Sequence, residues 1–362
     1  MGPCGPRLSF GVEPMRGRCG HAPNTTGVEL SYANELREVA RTMVSGGRGL
    51  LAADESSPTL TKRFDALGLE STSGTRLAWR EMLFTTPGLS DWISGAILYD
   101  ETFRQRLSSG ATVPEFLAAN GILPGIKVDT GAKPMAGRPA ETVTEGLDGL
   151  AGRLAEYRSL GGTFAKWRAV IKIEETALPS RACILANAHA LARYARICQS
   201  EGIVPIVEPE VLMDGNHSLE RSFEVTSATL NAVFAELWNQ EVVFDQMVLK
   251  PSMVISGKGA VVRAGREEVA VASVECYRNT VPAAVAGIAL LSGGQNDHEA
   301  TEHLALMNQL APLPWPITFS YGRALQDAAM SSWATKPNDV PAAQAALADR
   351  ASANFAAATG RA

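Results

Sequence analysis

The chain has 362 residues, 46% hydrophobic and 20% charged, enough apolar material for one large core. A net charge of −5 and an isoelectric point of about 5.7 argue against nonspecific nucleic-acid binding and against docking on an anionic membrane, but not against a small anionic substrate held in a locally basic cleft. The five cysteines (Cys4, Cys19, Cys183, Cys198, Cys276) form no disulfide framework and no C-x-x-C pair, as suits a reducing compartment such as the cytoplasm. The histidines lack metal-ligand spacing, and no run of eighteen apolar residues marks a membrane span.

In chain order, residues 1–28 are rich in Gly, Pro and Arg, without periodicity or a secretory apolar region, and read as a disordered extension. Residues 29–362 read as one domain. Leu36, Val39, Ala40 and Met43 follow helical spacing, and Gly46-Gly47-Arg48-Gly49 ends that helix. An apolar run from Gly49 stops at Asp54-Glu55-Ser56. Thr72 to Phe84 reads as a helix, and Ile93 to Glu101 as a second apolar run. Gly125-Ile126-Lys127-Val128-Asp129 is the third run. Ala140 to Leu160 reads as a glycine-bearing turn into a helix. Phe164-Ala165-Lys166-Trp167-Arg168 is the fourth run, with Trp167 facing away from the two cations. Ser180 to Glu201 is helical, with Ala186, Leu191, Tyr194 and Ile197 as its apolar stripe and Cys183 and Cys198 as small buried residues. Val204 to Glu210 is the fifth run. Helix Ser218–Gln240 precedes the sixth, which ends at Lys250-Pro251. Helix Arg266–Thr280 leads to the seventh, Ile288 to Gly294, and the eighth is Ile317 to Arg323. An alanine-rich helix, Ala342–Ala358, ends the chain.

Eight apolar runs recurring every ~30–45 residues, alternating with helices, predict a single-domain (β/α)₈ TIM barrel, an α/β fold whose catalytic groups sit at the carboxyl ends of the strands. The charged residues of this chain fall at those ends.

Lys250 closes its strand in an apolar setting. Burial disfavours an ammonium and favours the neutral amine, which can attack a carbonyl to form a Schiff base. Taken alone, it equally fits a lysine that snorkels to water. Glu208 and Glu210 are two apart on one strand and so share a face. Mutual repulsion would raise one pKa and supply a general acid, although solvated strand-end glutamates would read the same. Lys166 and Arg168 share a face in the same way, as do Lys127 and Asp129. Asp54 ends the first strand, followed by Ser56 and, at a helix start, Lys62-Arg63. These cations suit a phosphorylated substrate, or a self-neutralised ion network. Ser292-Gly293-Gly294 and Ser320-Tyr321-Gly322-Arg323 end the last two strands, where barrels commonly bind phosphate.

The strings Leu51-Ala52-Ala53-Asp54-Glu55-Ser56, Gly125 to Asp129, Gly146-Leu147-Asp148-Gly149-Leu150, Phe164 to Arg168, Ile203 to Glu210, Leu249-Lys250-Pro251, Leu291 to Gln295 and Thr318 to Leu325 together resemble the class I (Schiff-base) fructose-1,6-bisphosphate aldolases, over roughly residues 30 to 355. The resemblance implies cleavage of fructose 1,6-bisphosphate, or of a related phosphorylated ketose, without metal or organic cofactor, by a cytoplasmic homotetramer. It implies that Lys250 forms the imine, that Glu208 with Glu210 is the acid/base of imine formation, and that Asp54 beside Lys166 takes the C4 hydroxyl proton. It places Ser292, Gly293, Ser320, Gly322 and Arg323 at the C1 phosphate. Ser56, Thr59, Lys127 and Arg168 fall at the C6 phosphate, with Lys62 and Arg63 nearby. Two departures stand out. Pro58-Thr59 replaces the glycine-serine common in the family. The sequence also runs to Thr359-Gly360-Arg361-Ala362 without the terminal tyrosine of eukaryotic members, so enamine protonation is expected to use another group or to be slower.

Overall fold

The computed structural model describes residues 25–174, 177–335 and 339–361, with side chains from Tyr32 onward. Ten strands are present among them: β1 (Gly49–Ala53), β2 (Ile93–Leu98), β3 (Leu123–Lys127), β4 (Ala132–Met135), β5 (Arg138–Thr144), β6 (Phe164–Ile171), β7 (Val204–Val211), β8 (Val248–Leu249), β9 (Ile288–Leu290) and β10 (Ile317–Tyr321). Eight of them close a parallel barrel in the order β1-β10-β9-β8-β7-β6-β3-β2. Strands buried on both faces need apolar residues at nearly every position, which is why they stand out in the sequence as unbroken apolar runs. The architecture is the expected (β/α)₈ barrel, and no helix among the described residues is long and apolar enough to cross a membrane.

Register decides which side chains meet at the mouth. β6 and β7 pair from Phe164↔Val204 to Ile171↔Val211, setting Arg168 opposite Glu208. β8 is only two residues long, shorter than its apolar run suggests. Pro251 brings no N–H to extend it, but the Lys250 N–H still donates to Val207 O at 2.8 Å, so the lysine's backbone remains fixed to β7.

The helix Thr25–Val44 begins earlier than expected. It takes in the last four residues of the anticipated extension, whose residues 1–24 lie outside the described part. Its Leu36, Ala40, Met43 and Val44 share one buried cluster with Leu50, Ile97, Phe164, Val204 and Val248 from the barrel interior. The helix therefore plugs the end of the barrel opposite the strand carboxyl ends.

Outside the strands a second cluster joins barrel and helices. Trp167 points into it, as its alternation with Lys166 and Arg168 requires, and stacks on Tyr194 with ring centroids 5.4 Å apart. The helix Arg181–Ser200 buries Cys183, Asn187, Leu191, Tyr194 and Cys198, while Ala186 and Ile197 are only half-buried, so the apolar stripe is shifted from the expected one. Residues 140–144 end an antiparallel hairpin, β4–β5, and the expected glycine-bearing turn follows it and leads into the helix Leu150–Ser159. β5 is largely exposed and carries little apolar alternation, which hid it. Thr144 Oγ1 donates to Arg168 O at 2.7 Å and ties the hairpin to β6.

Candidate active site

At the carboxyl end of the barrel, four side chains from four strands meet. Lys250 and Lys166 are 3% and 4% exposed, and Glu208 is 4% exposed. Lys250 Nζ lies 3.3 Å from Glu208 Oε1. Lys166 Nζ lies 3.3 Å from the other oxygen of the same carboxylate and 2.7 Å from Asp54 Oδ2. Glu208 thus bridges two buried lysines, and Lys166 joins it to Asp54. Three further contacts close the cluster: Arg168 donates to Glu210, Lys127 pairs with Asp129 at 3.0 Å, and Asp129 accepts from the Arg168 backbone N–H.

The electrostatics correct one expectation. Burial raises the Glu208 carboxyl, but Lys166, Lys250 and Arg168 outweigh it and hold Glu208 below the ordinary carboxylate range. Glu210 has Arg168 as its partner, so the two glutamates are not a self-repelling pair that creates an acid. Glu208 is a carboxylate in the free site, able to accept a proton before it can give one back. Asp54 behaves alike: burial raises it, yet Lys166 and Lys250 bring it down to about 2. Burial pushes the Lys166 ammonium down, but Asp54, Glu208 and Asp129 hold it well above its ordinary value. A permanently charged lysine between two carboxylates can steady negative charge; it is not a nucleophile.

The remaining expected residues form two groups at the barrel mouth. On one side, Ser56 and Thr59 share a 3.0 Å hydrogen bond between hydroxyls at the start of the helix Ser57–Asp65, with Pro58 at its first turn. Thr59 therefore retains the hydroxyl expected of a serine. Lys127 and Arg168, the cations expected with them, are each paired with a carboxylate in this structure. On the other side, Gly293 and Gly294 have φ of 52° and 84°, left-handed conformations that suit glycine. Ser292 is buried, and Ser320 Oγ is buried without a hydrogen-bond partner among the described residues. Gly322 and an exposed Arg323 complete this loop pair.

Arg63 donates to Glu55 and, at 2.8 Å, to Asp327, one helical turn beyond Arg323. Burial raises the Asp327 carboxyl against the pull of both Arg63 and Arg323, so the two arginines share Asp327 as a neighbour. Lys62, next to Arg63 in sequence, is exposed. Sequence reasoning missed Arg80, 1% exposed, which donates to Glu55 Oε2 at 2.7 Å and so anchors the end of β1. It also missed Asp327. The only signal for Asp327 was its i+4 spacing from Arg323.

A buried lysine in contact with an ionised carboxylate, set at the mouth of an eight-stranded barrel with these two groups of residues, is the equipment of an enzyme acting on the carbonyl of a phosphorylated compound. The family description "Fructose-bisphosphate aldolase class-I" matches residues 35–362. The chain is 54% identical over 328 residues to the probable fructose-bisphosphate aldolase class 1 of Xanthomonas campestris pv. campestris, covering 90% of this chain and 98% of that one. It is 48% identical to the fructose-bisphosphate aldolase of Drosophila melanogaster, covering 91% of each. The solved fructose-bisphosphate aldolase from Plasmodium falciparum superimposes with a TM-score of 0.90 at 43% identity, over 91% of this chain and 96% of that one. The chain belongs to the class I fructose-bisphosphate aldolase family.

Proposed function

We propose that the chain cleaves fructose 1,6-bisphosphate reversibly through a Schiff base on Lys250. The observation that carries this reading is the 3.3 Å contact between Lys250 Nζ and Glu208 Oε1 in a buried site. Glu208 takes a proton from Lys250, and the freed amine adds to the C2 carbonyl. Glu208 then returns a proton to the departing hydroxyl, which leaves as water, and a cationic imine remains. Asp54, ionised at neutral pH, accepts the C4 hydroxyl proton. The C3–C4 electron pair moves into the imine, giving an enamine on Lys250 and releasing glyceraldehyde 3-phosphate. Protonation at C3 and hydrolysis of the imine free dihydroxyacetone phosphate and restore the lysine. Lys166 orients Asp54 and Glu208 and holds each ionised until it takes its proton.

The two phosphates fit the two groups at the mouth: C1 beside Ser292, Gly293, Ser320, Gly322 and Arg323, and C6 beside Ser56, Thr59, Lys127 and Arg168. The C6 phosphate competes with Asp129 and Glu210 for their cations. Lys62, exposed on the same helix as Thr59, is a further cation near the C6 pocket. Family membership also supports a homo-oligomer in the cytoplasm, the assembly being checked by light scattering.

The test of the covalent step is borohydride reduction in the presence of dihydroxyacetone phosphate, followed by peptide mass mapping. The reduced triose should appear on the Lys250 peptide. A label on Lys166 or Lys127 would sink the assignment.

A further inference from the structure

We infer that Lys258 is an additional substrate-binding residue, a second cation that meets Arg323 across Gly294 to hold the C1 phosphate. This rests on the reading above that the Gly293–Gly294 loop receives that phosphate.

Lys258 lies eight residues beyond Lys250, flanked by Gly257 and Gly259. Its backbone is latched to the loop after β7 by three successive hydrogen bonds: Gly257 N–H to His217 O at 2.9 Å, Lys258 N–H to Met213 O at 2.8 Å, and Gly259 N–H to Gly215 O at 2.9 Å. The latch requires Gly257, where a Cβ would lie 2.3 Å from Gly215 O; one at 259 would lie 2.3 Å from the side-chain atom Asn216 Oδ1. The backbone of Lys258 is therefore fixed while its side chain crosses to the loop after β9.

There it meets Arg323. A Cβ built on Gly294 would lie 2.7 Å from Lys258 Nζ and 3.1 Å from Arg323 Nη2. The two nitrogens are thus no farther apart than those two distances combined. One phosphate spans such a gap when each cation donates at the usual ~2.8 Å. Loops following β8, β9 and β10 each contribute to the pocket: Lys258, the Gly293–Gly294 backbone, and Arg323.

The competitor for Lys258 is Asp214, 3.4 Å away, and the two side chains are 43% and 65% exposed. An exposed pair of this length is weak and easily exchanged. A phosphate dianion, with more charge and three acceptor oxygens, displaces it.

The test compares wild type, Lys258→Ala and Lys258→Arg in steady state. With fructose 1,6-bisphosphate and with fructose 1-phosphate, Lys258→Ala should raise KM about tenfold with little change in kcat. Lys258→Arg should restore most of the loss. In the condensation direction at saturating dihydroxyacetone phosphate, the KM for glyceraldehyde 3-phosphate, which carries the other phosphate, should stay constant. An unchanged KM for both ketoses in Lys258→Ala would overturn the inference, as would an equal loss for glyceraldehyde 3-phosphate or a loss that arginine does not rescue. Those outcomes leave the aldolase reading intact if wild type still gives its borohydride adduct at Lys250. A wild type that neither cleaves nor labels removes both.

Discussion

Lys166 Nζ stands 2.7 Å from Asp54 Oδ2, and the same ammonium touches Glu208 Oε2 at 3.3 Å. One cation from β6 therefore serves both the carboxylate proposed to act at C4 and the carboxylate in contact with Lys250. In a buried site this coupling is strong, because neither carboxylate has water to stabilise its charge.

Replacing that cation should move both carboxylates together. In Lys166→Met, Asp54 and Glu208 lose the ammonium that depresses them most, and burial then drives both upward. The acid limb of kcat/KM should shift up by about one pH unit or more, with kcat reduced by roughly 10²–10⁴. A rate profile that fell without moving along the pH axis would show that Lys166 acts on the substrate alone.

Asp54 also links stability to acidity. Its folded-state value of about 2 lies below the ~3.9 of an unfolded chain. Between those values the unfolded state binds the extra proton, so stability is fully present above pH ~4 and is lost as pH falls toward 2. The contribution is about 2–3 kcal/mol. Urea unfolding of wild type and Asp54→Asn, compared from pH 5 to pH 2, should show the wild type losing about that much more. Parallel curves would refute the linkage.

Arg323→Ala should penalise substrates through the C1 phosphate. Removing a charge-assisted contact costs ~1.5–3 kcal/mol, about ten- to a hundredfold in kcat/KM. An equal loss with a C1-dephosphorylated analogue would mean that Arg323 mainly supports the start of its helix, Arg323–Thr335.

Activity should survive chelation. Among the described residues, no group of three or more His, Cys, Asp or Glu is placed to hold a metal ion. Cleavage measured after exhaustive dialysis against EDTA should match the untreated enzyme. Inactivation reversed by zinc would contradict the lysine route.

Much of the fold was legible because parallel barrel strands are buried on both faces and polar residues interrupt them only where the barrel opens. Alternation alone set Lys166 with Arg168, and Glu208 with Glu210, on common faces. It could not say who pairs with whom, because that depends on register between strands about forty residues apart. With Arg168 opposite Glu208, cations from β6 interleave with the glutamates of β7, and repulsion between the glutamates is cancelled. The pairing of Arg63 was hidden for a similar reason: its partner Asp327 is 264 residues away in sequence. The β4–β5 hairpin escaped because an exposed strand needs no apolar alternation.

The helix Thr25–Val44, seated on Leu50, Phe164 and Val248, makes the barrel a cul-de-sac. Whatever reaches the Lys250–Glu208 cluster must enter and leave by the carboxyl-end mouth, so reactant and products of that site share one doorway.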